Sequence, residues 1–147
     1  MDEEKEIWRN IKGYEGRYQV SNFGRIRSLS KTIINCRGRM QLLKDKILKP
    51  ENVFDGYERV CLCNNGKRQR FRVARLVYET FVEPIPEGLE IDHINGVRTD
   101  NHLINLRAVS HKANCWNPIT RERHLAANER RSRYKKEWWA KKKVTSK

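Results

Sequence analysis

The sequence predicts an α+β fold in three consecutive parts, and three observations carry that prediction. Short alternating runs punctuated by glycine fill the first 48 residues, two alternating runs flank an Asn64-Asn-Gly66 turn, and helical spacing begins only after those runs. At 147 residues the chain makes one domain, or one small core with appendages.

Residues 6–48 read as a small β-rich module. Ile7, Trp8 and Ile11 are apolar anchors, Gly13 and Gly16 punctuate turns, and Tyr18-Gln-Val20 and Arg25-Ile-Arg27-Ser-Leu29 alternate as strands around Asn22-Phe-Gly24. Trp8 and Phe23 are expected in its core. A second domain follows over residues 50–118. Its hairpin pairs residues 57–63 with 68–73 across the Asn-Gly turn, and residues 74–81 then place Leu76, Val77, Thr80 and Phe81 at helical spacing until Pro84 and Pro86 end the helix. Leu89-Glu-Ile91 reads as a strand that delivers Asp92-His93, and a polar loop runs on to Asn101. Residues 106–109 read as a second strand, and Ser110 caps a short helix from His111 to Trp116, stopped by Asn117-Pro118. Residues 119–147 form a basic tail of helix-forming composition.

Charge separates that tail from the rest. From Arg121 to Lys147 there are 11 Lys and Arg against 3 Glu, which places +8 of the chain's formal net charge of +14 in the tail. Such an excess attracts a polyanion, and each phosphate it neutralises releases counterions. A membrane is a poor partner, because the tail lacks a wide apolar stripe and no apolar run approaches the roughly 20 residues of a span. The acidic start, Met-Asp-Glu-Glu-Lys-Glu, is unlike a secretory signal, and a cytoplasmic location is expected. The cysteines at 36, 61, 63 and 115 contain no C-x-x-C pair, so structural zinc is not expected and all four read as small apolar residues of a reduced core.

The candidate chemistry lies in the third quarter of the chain. Asp92 and His93 are adjacent and point to opposite sides of an extended backbone, which suits one as a metal ligand and the other as a base facing substrate. Asn114, on the short helix, offers a second hard oxygen. One or two such oxygens suit Mg²⁺ or Mn²⁺, and a neutral imidazole can accept a proton from water. Together they suit phosphodiester hydrolysis. The same Asp-His pair also reads as an ordinary capped turn, and Asn105 as a turn residue before a strand.

The segment Leu89-Glu-Ile-Asp-His-Ile-Asn-Gly96, with Arg98-Thr-Asp-Asn101, Ile104-Asn-Leu-Arg107 and Val109-Ser-His-Lys-Ala-Asn114, resembles the HNH endonuclease family in its phage and intron homing branch. The resemblance implies a ββα-metal (His-Me finger) core over about residues 89–117. By position it makes His93 the general base, Asp92 and Asn114 the metal ligands, and Asn105 the asparagine that fixes the catalytic loop. His102 and His111 fall outside the matching positions and read as solvent-facing or capping residues. The helix after the hairpin often starts with histidine in this branch, whereas Ala74 stands here.

Residues 7–29 are similar to the NUMOD class of DNA-binding modules. Arg17, Arg25 and Arg27, set among Tyr14, Tyr18 and Phe23, are its candidate DNA contacts, and Arg121, Arg123, Arg130, Arg131, Arg133, Lys135 and Lys136 are those of the tail. The expectation is a monomeric Mg²⁺- or Mn²⁺-dependent endonuclease acting on double-stranded DNA. The competing class is a DNA-binding regulator or packaging accessory that keeps the scaffold without cutting.

Overall fold

The structure, a computed structural model, describes residues 5–52 and 54–144, with side chains left out at 52, 120, 123, 124 and 138–144. It divides into two compact units, residues 1–109 and 110–147.

In the first unit, β1 (Trp8–Asn10), β2 (Tyr18–Ser21), β3 (Ile26–Ser28) and β6 (Lys46–Leu48) form an antiparallel sheet in the order β1-β2-β3-β6. Between β3 and β6 the chain makes a separate two-stranded ribbon, β4 (Lys31–Ile34) and β5 (Met40–Leu43), on which Ile34, Met40 and Leu42 are exposed. A three-stranded sheet follows: β7 (Glu51–Asn52), β8 (Glu58–Asn64) and β9 (Lys67–Arg72). Its hairpin closes with Asn65 at φ 50° and Gly66 at φ 77°. Two successive positive φ values are the type I′ geometry that an Asn-Gly pair adopts with little strain.

Helix α1 (Val73–Phe81) buries Val73, Ala74, Leu76 and Val77 and ends shortly before Pro84. Ala74, standing where the homing branch often has histidine, is a core residue at 4% exposure. Strands β10 (Leu89–His93) and β11 (Leu106–Ser110) pair with each other, joined by a loop that ends in a 3₁₀ turn at Leu103–Asn105. The second unit holds α2 (His111–Cys115) and α3 (Pro118–Val144). Ser110 caps α2, its hydroxyl accepting the Ala113 N–H at 3.2 Å. Among the described residues no helix is long and apolar enough to cross a membrane.

The structure shows a shared interior and corrects two sequence expectations about burial. The β-rich module has no core of its own: Ile11, Val20 and Ile26 join Val60, Leu62, Val73, Ala74, Leu76, Val77 and Leu106 in one buried cluster. The expected boundary near residue 49 therefore runs through a shared interior. Trp8 and Phe23 are only half-buried; Trp8 takes the guanidinium of Arg27 on its face at 4.4 Å, and Phe23 stacks on His102 at 4.7 Å. His102 is half-buried and stands at the N-cap of the 3₁₀ turn, the capping alternative of its expected roles. The cysteines are not core residues either: Cys36, Cys61 and Cys115 are exposed and Cys63 is half-buried. On β8 alternation can bury only one of two sets, and Val60 and Leu62, at 4% and 0% exposure, displace Cys61 and Cys63 from the interior.

Candidate active site

Strand β10 carries Asp92 and His93 out of the core at its last two positions, and both side chains are nearly inaccessible, at 5% and 3% exposure. Asp92 Oδ2 accepts two hydrogen bonds from Arg107 on β11, from Nε at 2.9 Å and Nη2 at 2.8 Å. A carboxylate this buried needs such a cationic partner, because desolvation alone disfavours the charge.

His93 is held from behind by a chain of two side chains. Asn101 Nδ2 donates to Glu58 Oε2 at 2.8 Å, and Asn101 Oδ1 lies 3.2 Å from His93 Nε2. A carboxylate oxygen only accepts, so the amide nitrogen of Asn101 faces Glu58 and the amide oxygen faces the imidazole. Burial pushes His93 below its ordinary value, against the opposing pull of the Asn101 hydrogen bond and of the Asp92 and Asp100 carboxylates. Burial pushes Glu58 upward, partly offset by the hydrogen bond from Asn101. The Tyr57 ring lies 5.9 Å from the His93 ring and carries the guanidinium groups of Arg72 and Arg98 at 4.3 and 4.9 Å. The Arg98 charge adds to the lowering of the His93 value.

The loop between β10 and β11 is tied from within by Asn105, itself 8% exposed. Its Oδ1 accepts the Asn95 N–H at 2.9 Å, its Nδ2 donates to Asn95 Oδ1 at 3.0 Å and to the Asp100 carbonyl at 2.8 Å, and its own carbonyl accepts the Ile94 N–H at 2.9 Å. The β-rich module braces the same loop. Leu103 N–H donates to the Asn22 carbonyl at 2.8 Å, and the α-carbon of Gly24 packs directly on Asn101.

Asp92, His93 and Asn105 thus converge at one end of the β10–β11 pair. Asn114 stands on α2 of the second unit, half-buried, its carbonyl accepting the Asn117 N–H at 3.2 Å. A carboxylate and an amide oxygen are the hard donors that Mg²⁺ or Mn²⁺ takes one or two at a time, so Asp92 in the first unit and Asn114 in the second each have a chemistry that fits such an ion. The buried Asp92 oxygen already faces a cation in Arg107. Among the described residues no three or more His, Cys, Asp or Glu side chains gather into a further metal centre.

Of the expected DNA contacts in the first unit, Arg25 pairs with Glu6, Arg27 Nη2 bonds Gln19 at 2.6 Å, and Arg17 bonds Asn65 at 3.2 Å. In the tail Arg121 lies over Trp116 at 5.5 Å, while Arg130, Arg131, Arg133, Lys135 and Lys136 are exposed along α3. The side chain of Arg123 lies outside the described residues. Sequence reading missed Glu58, Asn101 and Arg107. Asn101 and Arg107 were visible in the motif segment without a role, and Glu58 had no local signal, because it reaches the site from 43 residues away.

Comparison with known proteins gives matches over both the β-rich module and the segment that carries the site. Residues 6–63 match the NUMOD4 motif and residues 72–115 match HNH endonuclease. DNA endonuclease I-HmuI of Bacillus phage SP01 is 40% identical over 114 residues, which are 78% of this chain and 58% of that protein. The SPbeta prophage-derived HNH homing endonuclease YosQ of Bacillus subtilis is 35% identical over 77 residues, covering 50% of this chain and 44% of that one. A solved structure described as DNA binding and cleavage by the HNH homing endonuclease I-HmuI superposes with a TM-score of 0.64, over 79% of this chain and 59% of that one. The chain thus spans from 44% to 59% of the length of these relatives.

Proposed function

From the premise that this chain is homologous to the HNH homing endonucleases, we propose that it hydrolyses phosphodiester bonds of double-stranded DNA with the help of a divalent cation. The observation that carries this reading is the buried Asp92–His93 pair at the end of β10, with burial pushing the imidazole below its ordinary value. His93, with Asn101 accepting from Nε2, keeps its lone pair on Nδ1 and takes the proton of the attacking water there. Asp92 and Asn114 would hold Mg²⁺ or Mn²⁺, which when bound supplies positive charge to the scissile phosphate and the departing 3′ oxygen. Asn105 holds the loop that fixes His93, and Arg72 and Arg98 beside Tyr57 offer phosphate contacts next to the base. Arg17, Arg25 and Arg27 of the first unit and the basic residues of α3 in the second add contacts to the duplex backbone. The enzyme acts as a monomer in the host cytoplasm.

The test is nicking of supercoiled plasmid by purified protein with Mg²⁺ or Mn²⁺, with and without chelator, beside His93→Ala. Expected are relaxed circles only with metal, and a rate about 10²–10⁴ lower for His93→Ala at nearly unchanged DNA affinity. A protein that binds the plasmid but leaves it intact with either ion is instead the non-cleaving DNA-binding protein.

A further inference from the structure

We propose that Glu58, contributed by the NUMOD4-matching half of the chain, is a positioning residue that fixes the tautomer and orientation of His93 through Asn101. The inference rests on the nuclease reading above. It comes from three side chains in a row: Glu58 Oε2, Asn101 Nδ2 at 2.8 Å, and Asn101 Oδ1 facing His93 Nε2 at 3.2 Å.

Each link has a single polarity. The carboxylate at the outer end accepts at 2.8 Å, with the Thr99 carbonyl a longer second acceptor at 3.4 Å, which turns the amide so that its oxygen points inward, which in turn requires a hydrogen on Nε2. A neutral imidazole so held presents its lone pair at Nδ1 alone. Free imidazole divides between two tautomers and rotates, whereas this one is 3% exposed and has one arrangement. The middle residue is itself fixed by packing, since Asn101 is 4% exposed and its side-chain root lies against the α-carbon of Gly24.

The two halves of the relay come from different sequence matches. Glu58 begins β8 inside the NUMOD4 match over residues 6–63, while Asn101 and His93 lie inside the HNH match over residues 72–115. The N-terminal half therefore does more than extend the binding surface: it completes the support of the base. A cavity of about 430 Å³ borders both Glu58 and Asn101.

The polarity argument makes a reciprocal prediction. Asn101→Asp sets two carboxylates face to face at hydrogen-bond distance, which breaks the row, and the nicking rate at saturating DNA falls about 10- to 100-fold, the range seen for residues that orient a functional imidazole. Adding Glu58→Gln restores a donor opposite the new carboxylate, and the double variant recovers most of that loss with KM for DNA unchanged. Long-range ¹H–¹⁵N spectra of the metal-free protein at pH 8, with the His93 signals identified by their absence in His93→Gln, read the tautomer directly. The expected pattern is a protonated Nε2 and a bare Nδ1 in the wild type, mixed in Glu58→Ala.

A bare Nε2 in the wild type overturns the proposal, as does a folded Asn101→Asp/Glu58→Gln protein no faster than Asn101→Asp. Should the wild-type protein nick no DNA at all, the nuclease reading fails, and the spectra alone still decide whether Glu58 sets the His93 tautomer.

Discussion

Replacing Asn105 by alanine tests whether the loop between β10 and β11 is held by one side chain. Three side-chain hydrogen bonds disappear: one from the Asn95 N–H at 2.9 Å, one to Asn95 Oδ1 at 3.0 Å and one to the Asp100 carbonyl at 2.8 Å. A net contribution of about 1 kcal/mol for each gives about 3 kcal/mol. Asn95 is exposed and Asp100 half-buried, so water replaces part of the loss and about 2–3 kcal/mol remains. For a unit of 109 residues, at about 4 °C per kcal/mol, the melting temperature falls by about 8–12 °C. Asn105→Asp separates hydrogen bonding from volume. It keeps an acceptor for the Asn95 N–H but turns an acceptor toward Asn95 Oδ1 and the Asp100 carbonyl, so it is expected to destabilise at least as much as alanine. Calorimetry gives the melting temperatures, and plasmid nicking well below the transition gives the rate, which should fall because the loop tethers the end of β10. A fall of less than about 2 °C in both variants, with nicking intact, refutes the claim that Asn105 holds the loop.

Gly24 has φ +81°, and a Cβ there would stand 2.6 Å from Asn101 Cβ, whereas Gly16 has φ +69° and open space around it. Alanine at Gly16 should therefore cost only the left-handed backbone penalty of about 1–2 kcal/mol, while alanine at Gly24 should melt lower still and lose nicking; calorimetry and nicking rates compare the two. Burial holds the His93 value below its ordinary 6.5, so the acid limb of kcat/KM should lie below pH 6.5, where protonation finally removes the lone pair. The sign for folding is the same: as pH falls through 6.5 the unfolded chain takes the proton first, so stability complete above that pH declines as pH approaches the lower folded-state value, which denaturant titrations from pH 8 to 5 would follow. Truncation after Thr120 removes a net +8, and the slope of log K against log salt should become shallower by about 0.9 for each duplex phosphate that the tail no longer neutralises, with nicking retained at low salt; an unchanged slope assigns the binding to the first 120 residues.

Local signals made much of this fold legible. The Asn64-Asn-Gly66 turn named its hairpin, the spacing of Leu76 and Val77 named α1, and Ser110 named the start of α2, because each depends on neighbours in sequence. The β4–β5 ribbon stayed invisible for the complementary reason: with Ile34, Met40 and Leu42 all exposed, it buries neither face and has no period-two signature. Cys61 and Cys63 were misplaced because alternation specifies two faces without saying which faces inward. At the site, the motif segment named Asp92, His93 and Asn105. Arg107 becomes a partner of Asp92 only once β10 and β11 pair, and Glu58 becomes a support of His93 only once the two sequence matches fold over one core.

That common interior determines where such a chain can be cut and rejoined. A hybrid spliced near residue 49 would make Val20 and Ile26 of one parent meet Val60, Leu62 and Val77 of another, with one parent's Gly24 against the other's Asn101. Interiors packed like crystals tolerate few such mismatches without repacking. A splice at residues 109–110, where the compact unit ends, leaves every member of the buried cluster with a single parent. Recombination near residue 49 therefore breaks this buried cluster, while exchange of everything after Val109 preserves it but divides the HNH match over residues 72–115, so Asp92 and Asn114 come from different parents.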